Sequence, residues 1–179
     1  MKGIIFNLVE SVVIAELGVD AWDDVIDNAG VVGAYTSLGT YPDSELLDIA
    51  AVVGGRLGAD TGDVMRHVGH QSISRLYERY PDFFTPHVEV FSFLLTLDSI
   101  IHPEVLKLYP GAIVPEFDFD LIDDKTLDLV YRSARQRCDF AEGLILGAAE
   151  HYGSTVTLSQ PRCTLRGDAS CLIRVQLHE

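Results

Sequence analysis

Hydrophobic residues in the first two-thirds of the chain recur every three or four positions, which is the spacing of α-helices. The predicted helices cover residues 4–13, 22–29, 46–57, 61–80 and 88–101. The first of them is apolar over more than half of its circumference, which indicates burial on most sides. Pro103 follows the last one, and a proline disfavours helical backbone at the residue before it. We therefore expect a kink or a new helix start at His102.

The spacing changes to a two-residue alternation in the last third of the chain, which is typical of strands. The predicted strands cover residues 127–132, 156–158 and 171–177. Gly167 and Asp168 lie between the last two strands and predict a hairpin turn. Apolar residues line one face of residues 140–152, so a long helix is predicted there, with Gly143 and Gly147 permitting close approach of a neighbour.

Helices followed by strands indicate an α+β fold. We expect a helical N-terminal part over about residues 1–110 and a sheet-containing part over about residues 111–179. The second part would hold a small antiparallel sheet with the long helix packed against it. The 179 residues show no linker or internal repeat, so a single domain is predicted.

Charge and cysteine content narrow the classes of partner and compartment. The chain has 13 basic and 27 acidic side chains, a net charge of -14, which argues against nucleic acid or an anionic membrane as the partner. No apolar run reaches the roughly 18–20 residues that span a bilayer. Three cysteines do not form a secreted disulfide framework, so a cytoplasmic protein is expected.

Tyr131, Ser133 and Arg135 form a Tyr-x-Ser-x-Arg pattern at the end of a predicted strand. Alternation places a phenol, a hydroxyl and a guanidinium on one face. These groups suit the binding of a carboxylate or a phosphate, because the guanidinium offers a planar fork of donors. The alternative is an ordinary solvated strand end.

His102 follows a strongly apolar segment that contains Phe93, Leu94 and Leu97. An imidazole that faces an apolar cavity is typical of an axial ligand to haem iron. Asp98 lies one helical turn earlier and is placed to orient the ring. The alternative is a structural histidine at the end of a helix.

His102, Pro115 and the pattern of Tyr131, Ser133 and Arg135, in a chain that opens Met-Lys-Gly, resemble the haem–nitric oxide/oxygen binding (H-NOX) family. The resemblance spans essentially the whole chain. It implies a haem b cofactor with His102 as the proximal iron ligand. It also implies that the tyrosine, serine and arginine bind the haem propionates and that Pro115 presses on the porphyrin and bends it.

The same resemblance places Phe140 where oxygen-binding relatives carry a tyrosine that holds dioxygen. Ile5, Val9, Leu76 and Leu144 would complete the distal lining. Bound dioxygen needs a hydrogen-bond donor, whereas nitric oxide binds ferrous iron tightly without one. An apolar pocket is therefore expected to select nitric oxide, with carbon monoxide as a further ligand. Ser72, the polar residue nearby, is expected to bond a carbonyl of its own helix.

The resemblance implies a nitric oxide sensor rather than an enzyme. Ligand binding would weaken or break the bond between iron and His102 and shift the conformation. The output would pass to a separate sensor histidine kinase or to a cyclic-di-GMP enzyme, a diguanylate cyclase or phosphodiesterase. The alternative is a haem-free small-molecule effector-binding module, because the region from Gly143 through the Cys163–Cys171 hairpin also resembles vinyl-reductase-like domains.

Cys138, Cys163 and Cys171 form a third group of candidate residues. The last two flank the predicted hairpin turn and should lie nearly opposite each other. Some bacterial H-NOX proteins are similar here and use three cysteines and a histidine to hold a structural zinc. Gln160 stands where that histidine is expected, and an amide is a poor zinc ligand. A water, a partner's residue, His151 or His178 could complete the set, and free thiols or a Cys163–Cys171 disulfide are the alternatives.

Overall fold

The structure is a computed structural model that describes residues 1–178. Its α-helices are α1 (Gly3–Leu17), α2 (Val19–Ala29), α3 (Asp43–Leu57), α4 (Thr61–Arg79), α5 (Val90–Leu94), α6 (His102–Leu108) and α7 (Cys138–His151). Its strands are β1 (Glu116–Asp123), β2 (Thr126–Arg132), β3 (Thr155–Arg162) and β4 (Cys171–His178). The α+β prediction is confirmed, with helices first and a sheet in the last third.

The helix termini follow from local sequence signals. The Asp60 carboxylate accepts a hydrogen bond from the Asp63 N–H at 2.8 Å, so Asp60 caps α4. Gly58 ends α3 in the left-handed conformation at φ 68°, which glycine adopts without a steric penalty. Pro103 lies in the first turn of α6, where its missing N–H has no intrahelical partner to lose. α6 does start at His102 as we expected, but His102 itself has helical backbone angles of φ −63° and ψ −41°, which the restriction imposed by Pro103 did not predict.

The four strands form one antiparallel sheet in the order β1-β2-β4-β3. Our sequence reading placed β2, β3 and β4 correctly and missed β1. The signal was present, because Phe117 and Phe119 alternate with Glu116, Asp118 and Asp120. β1 pairs with β2 and lies at the edge of the sheet.

The interior consists of two apolar clusters. One lies among α1, α2, α3 and α4 and includes Phe6, Leu46 and Ile49, none of which is accessible to solvent. The other lies between the sheet, α5 and α7 and includes Leu129 and Ile173, also inaccessible. The prediction that the first helix is buried on most sides is confirmed.

α4 and α7 pack at a distance that only glycine permits. A Cβ atom on Gly143 would lie 1.9 Å from the Arg66 carbonyl oxygen, and one on Gly147 would lie 2.4 Å from the His70 carbonyl oxygen. From the other side, a Cβ on Gly69 would lie 2.4 Å from the Phe140 carbonyl oxygen. The two predicted glycines thus let the backbones touch, and the contact fixes where α7 presents its other side chains.

No helix within residues 1–178 combines the length and the apolar character that crossing a bilayer requires.

Candidate functional site

An apolar cavity of about 300 Å³ lies between the two parts of the fold. Helices α1, α4 and α7 form one side, and α5, α6, β1 and β2 contribute the rest of the wall. Its volume is at the lower end of the roughly 300–1,000 Å³ range of small-molecule sites. Nine of the predicted site residues line it: His102, Pro115, Tyr131, Ser133, Arg135, Ile5, Leu76, Phe140 and Leu144.

The His102 ring is fixed by the aspartate one turn earlier. Its Nδ1 lies 2.9 Å from Asp98 Oδ1, and the other Asp98 oxygen accepts the Phe117 N–H at 2.6 Å. The Phe117 ring stacks on the imidazole at 5.8 Å. Because a carboxylate can only accept, Nδ1 carries the proton and Nε2 keeps its lone pair.

Burial also keeps the imidazole neutral. Only 16% of the His102 side chain is exposed, and this burial lowers the pKa of His102 although Asp98 and the Pro115 backbone act in the opposite direction. A neutral ring with one free nitrogen is the form that binds a metal ion.

A π-helical turn over Leu97–Ile101 precedes His102. The His102 N–H donates to the Leu97 carbonyl, five residues back, instead of to the residue four back. Such turns are rare and rotate the following side chains relative to a regular helix. The sequence predicted the break at His102 from Pro103, but it did not indicate the π turn.

Tyr131, Ser133 and Arg135 converge on the cavity as predicted. The Tyr131 hydroxyl lies beside that of Ser133, and burial raises the pKa of Tyr131 to about 12. Ser133 Oγ accepts the Arg135 N–H at 3.2 Å. The tyrosine is 3% exposed and the arginine side chain 16%, so the solvated strand end that we considered is not what the structure has.

Asp43 belongs to this group and was missed from the sequence. Its Oδ2 accepts a hydrogen bond from Arg135 Nε at 2.7 Å, and its Oδ1 accepts one from the Met1 ammonium. Burial alone would raise the pKa of Asp43, but these two bonds lower it. The Arg135 Nη1 group donates to the Ile113 carbonyl at 2.8 Å. Asp43 is 92 residues from Arg135, and no local pattern indicated the pairing.

The wall formed by α1, α4 and α7, hereafter the α1–α4–α7 wall, is apolar. It is lined by Ile5, Leu8, Leu76, Phe140 and Leu144. Val9, which we expected among these residues, packs instead in the cluster of the N-terminal helices and does not line the cavity. The reason is rotational, because one residue along a helix turns the side chain by about 100°. Ser72 Oγ donates to the Val68 carbonyl at 2.7 Å, which confirms that expectation.

Two further cavity residues were missed from the sequence. Tyr80 follows α4 and Tyr109 follows α6, and their hydroxyl groups share a hydrogen bond. The pair joins the end of the α1–α4–α7 wall to the His102 segment. Each hydroxyl group therefore bonds the other tyrosine rather than a group inside the cavity.

The three cysteines meet at the N-terminal end of α7, where β3 ends and β4 begins, as a separate cluster. Cys138 Sγ lies 3.5 Å from Cys163 Sγ, which lies 3.9 Å from Cys171 Sγ. All three are buried free thiols, and burial raises the pKa of Cys138 to about 12. The three sulfur atoms lie within 4.8 Å of one another, so they could share one metal ion. The Cys163–Cys171 disulfide that we considered is not formed in the structure.

The comparisons agree with this geometry. A family model described as haem-NO-binding matches residues 2–160. No curated protein sequence matches the chain.

Several solved structures share the fold over the whole chain. An H-NOX protein from S. oneidensis in the Fe(II)NO state has a TM-score of 0.94 and 31% identity, with 100% of both chains covered. The Fe(II)CO form from Shewanella oneidensis has a TM-score of 0.91 and 31% identity, with 100% of this chain and 99% of that one covered. Unliganded Fe(II) H-NOX protein from K. algicida has a TM-score of 0.89 and 26% identity, with 100% of this chain and 97% of that one covered. The chain therefore belongs to the haem-NO-binding (H-NOX) family, whose members are haem-based gas sensors.

Proposed function

We propose that the protein is a nitric oxide sensor that binds haem b in the apolar cavity, with His102 as the residue that would hold the iron. The observation that supports this most directly is the buried imidazole on the cavity wall, whose Nδ1 is bound to Asp98 at 2.9 Å. That arrangement leaves Nε2 as a neutral nitrogen donor. The donor set fits haem, because the cavity combines apolar walls, one nitrogen ligand and a separate carboxylate-binding group.

The acid arms of the haem would be bound by Tyr131, Ser133 and Arg135. Each of these side chains lines the cavity, and each offers a donor to a carboxylate. Asp43 holds the Arg135 guanidinium in place through Nε. Pro115 lies on the same cavity and would pack against the ring.

Selectivity among gases would come from the α1–α4–α7 wall. When bound, haem would supply a ferrous iron that can take up a gas, and His102 would be the residue that holds this iron. Phe140 and the aliphatic residues of this wall offer no donor to a bound gas, and Ser72 and Tyr80 already use their hydroxyls within the protein. The wall therefore supports nitric oxide and carbon monoxide binding and withholds the hydrogen bond that dioxygen needs.

The His102 segment would transmit the signal. Asp98 binds both the imidazole and the backbone of Phe117, so a displaced His102 would also pull on the edge strand β1. A π turn precedes this residue, and Pro103 follows it in the first turn of α6, so the regular helical hydrogen-bond pattern is interrupted at His102. We propose that the resulting shift regulates a separate signalling protein, a sensor histidine kinase, a diguanylate cyclase or a phosphodiesterase.

One absorbance spectrum of the reduced protein, recorded before and after addition of nitric oxide, tests this function. We expect a Soret band that shifts on addition of nitric oxide and that air leaves unshifted until the iron oxidises. A colourless protein that gains no Soret band when haem is supplied would contradict the proposal and favour the haem-free effector-binding alternative.

We also propose that Cys138, Cys163 and Cys171 bind a structural zinc ion. The close approach of three buried thiols supports this, because a shared metal ion would stabilise their thiolate forms. The fourth ligand is open, since Gln160 replaces the histidine of similar proteins. The amide nitrogen of Gln160 is buried beside the Cys138 thiol, and the amide acts to lower the pKa of Cys138 against the effect of burial, so a polar group fits next to the cluster.

Zinc content is expected to be close to one ion per chain in protein purified without chelators. Replacing Gln160 by histidine should strengthen zinc binding by about tenfold or more, because it restores a good fourth ligand. Metal analysis and competition with a chromophoric chelator measure both quantities. Protein that contains no zinc and shows three titratable thiols when folded would contradict the site, whatever its haem content.

A further inference from the structure

Arg137 lies two residues beyond Arg135 and also lines the cavity. It immediately precedes α7, one turn before Phe140. Its Nε atom is buried, and no hydrogen-bond partner for it lies within residues 1–178. Protein atoms cover this Nε, and no ion pair or hydrogen bond within residues 1–178 engages the terminal Nη groups either, so the charge of this cavity residue is unmatched.

The surroundings of Arg137 make a missing anion the best explanation. The residue occupies the N-terminal end of α7, a 14-residue helix, where the helix dipole disfavours a positive charge. Asp139 is near enough to feel its charge, but no ion pair joins the two side chains. The Asp139 carboxylate accepts the Phe140 N–H instead, at 2.8 Å. No aspartate or glutamate within residues 1–178 therefore forms an ion pair with Arg137.

Arg135 differs in this respect, although it lines the same cavity. Its Nε donates to Asp43 and its Nη1 to the Ile113 carbonyl, so much of its fork and its charge are used within the protein. Gln136, between the two arginines, has φ 52° and is the one non-glycine residue with a positive φ among residues 1–178. This turn takes the chain from the strand into α7 and leaves both arginines on the cavity.

We propose that Arg137 is a second carboxylate-binding guanidinium of the cavity and binds an acid arm of the haem through its terminal Nη groups. Haem carries two such arms, and Arg135 alone, held by Asp43, would leave part of their charge unmatched. The proposal rests on the proposed function, since it takes haem as the ligand. It adds Arg137 to the group of Tyr131, Ser133 and Arg135.

The experiment measures the rate at which haem leaves the ferric protein and enters an excess of apomyoglobin. Wild type and Arg137→Ala are each loaded with haem and, in parallel, with haem dimethyl ester, in which both acid arms are neutral. We expect Arg137→Ala to release haem about tenfold faster than wild type, which is the size of effect expected when one hydrogen bond to a charged group is lost. With the dimethyl ester the two proteins should release at the same rate. Arg137→Lys should lie between them, because it keeps the charge and loses the fork.

Arg132→Ala is the matched control, because Arg132 is exposed on β2 and pairs with Asp118 away from the cavity. Its release rates should equal those of wild type with both porphyrins. If Arg137→Ala accelerates the release of haem and of its dimethyl ester equally, the side chain has a packing role and the proposal is overturned. Release rates equal to those of wild type would overturn it as well. A changed carbon monoxide affinity with unchanged haem release would place Arg137 at the gas ligand instead and also overturn it. A wild type that binds no haem would contradict the proposed function itself.

Discussion

Protein with His102 replaced by alanine is expected to lose its haem on purification and to recover it when imidazole is added to the buffer. Asp98 binds the Nδ1 atom of His102, so the Nε2 atom keeps a lone pair that can bind iron. No other side chain of the described cavity wall provides such a nitrogen. We expect haem affinity to fall by at least about a hundredfold, the upper end of what losing an outer-shell partner of a metal ligand costs. Titration with haem, followed at the Soret band with and without imidazole, measures the effect.

His67→Ala is the control for this prediction. His67 is about half exposed on α4 and pairs with Glu16 on the surface, so its loss should leave haem binding unchanged. A His102→Ala protein with the spectrum and haem affinity of wild type would show that the axial ligand lies elsewhere. Rescue by imidazole separates loss of a ligand from loss of the fold, because free imidazole can occupy only a cavity that has kept its shape.

Replacing Phe140 by tyrosine is expected to let the ferrous protein bind dioxygen. The ring lies on the cavity side of α7, where a phenol would add a donor to a wall that offers none. A hydrogen bond to a charged acceptor contributes about 1.5–3 kcal/mol, so dioxygen affinity should rise by roughly tenfold to a hundredfold. Dioxygen titration of the reduced protein under controlled oxygen pressure measures it.

Phe140→Leu is the matched variant, since it reshapes the wall without adding a donor. It should bind dioxygen no better than wild type, and nitric oxide binding should persist in both variants. A wild type that forms a stable dioxygen complex in air would contradict the selectivity argument. Equal dioxygen affinities in the tyrosine and leucine variants would show that cavity shape, not hydrogen bonding, controls selectivity.

The sequence predicted the elements that depend on local chemistry. The start of α6 at His102 was predicted from Pro103, but His102 keeps helical backbone angles, so the proline acts through its missing N–H donor and not through the backbone of the residue before it. The cap at Asp60 and the stop at Gly58 likewise depend on one or two residues. β1 was missed although its alternation was visible, and Val9 was placed one residue off the cavity-facing side of α1.

The candidate site was predicted in part. Tyr131, Ser133 and Arg135 lie close together in the chain, so alternation was enough to predict that they share a face. Asp43 pairs with Arg135 across 92 residues, and Tyr80 meets Tyr109 across 29. No periodicity connects such distant positions, and only the packing of the helices against the sheet brings them together.

The sequence by itself thus determined the fold class, the helix breaks, the family and most of the residues on the cavity. These depend on spacing and on residue type, which are properties of the chain before it folds. Only the tertiary structure decided that Asp98 also binds the Phe117 backbone, that Asp43 occupies the fork of Arg135 and that Arg137 keeps a buried nitrogen unpaired. Each of these depends on which polar atoms burial brings within hydrogen-bond distance, and that is settled when helices and strands from distant parts of the chain pack together.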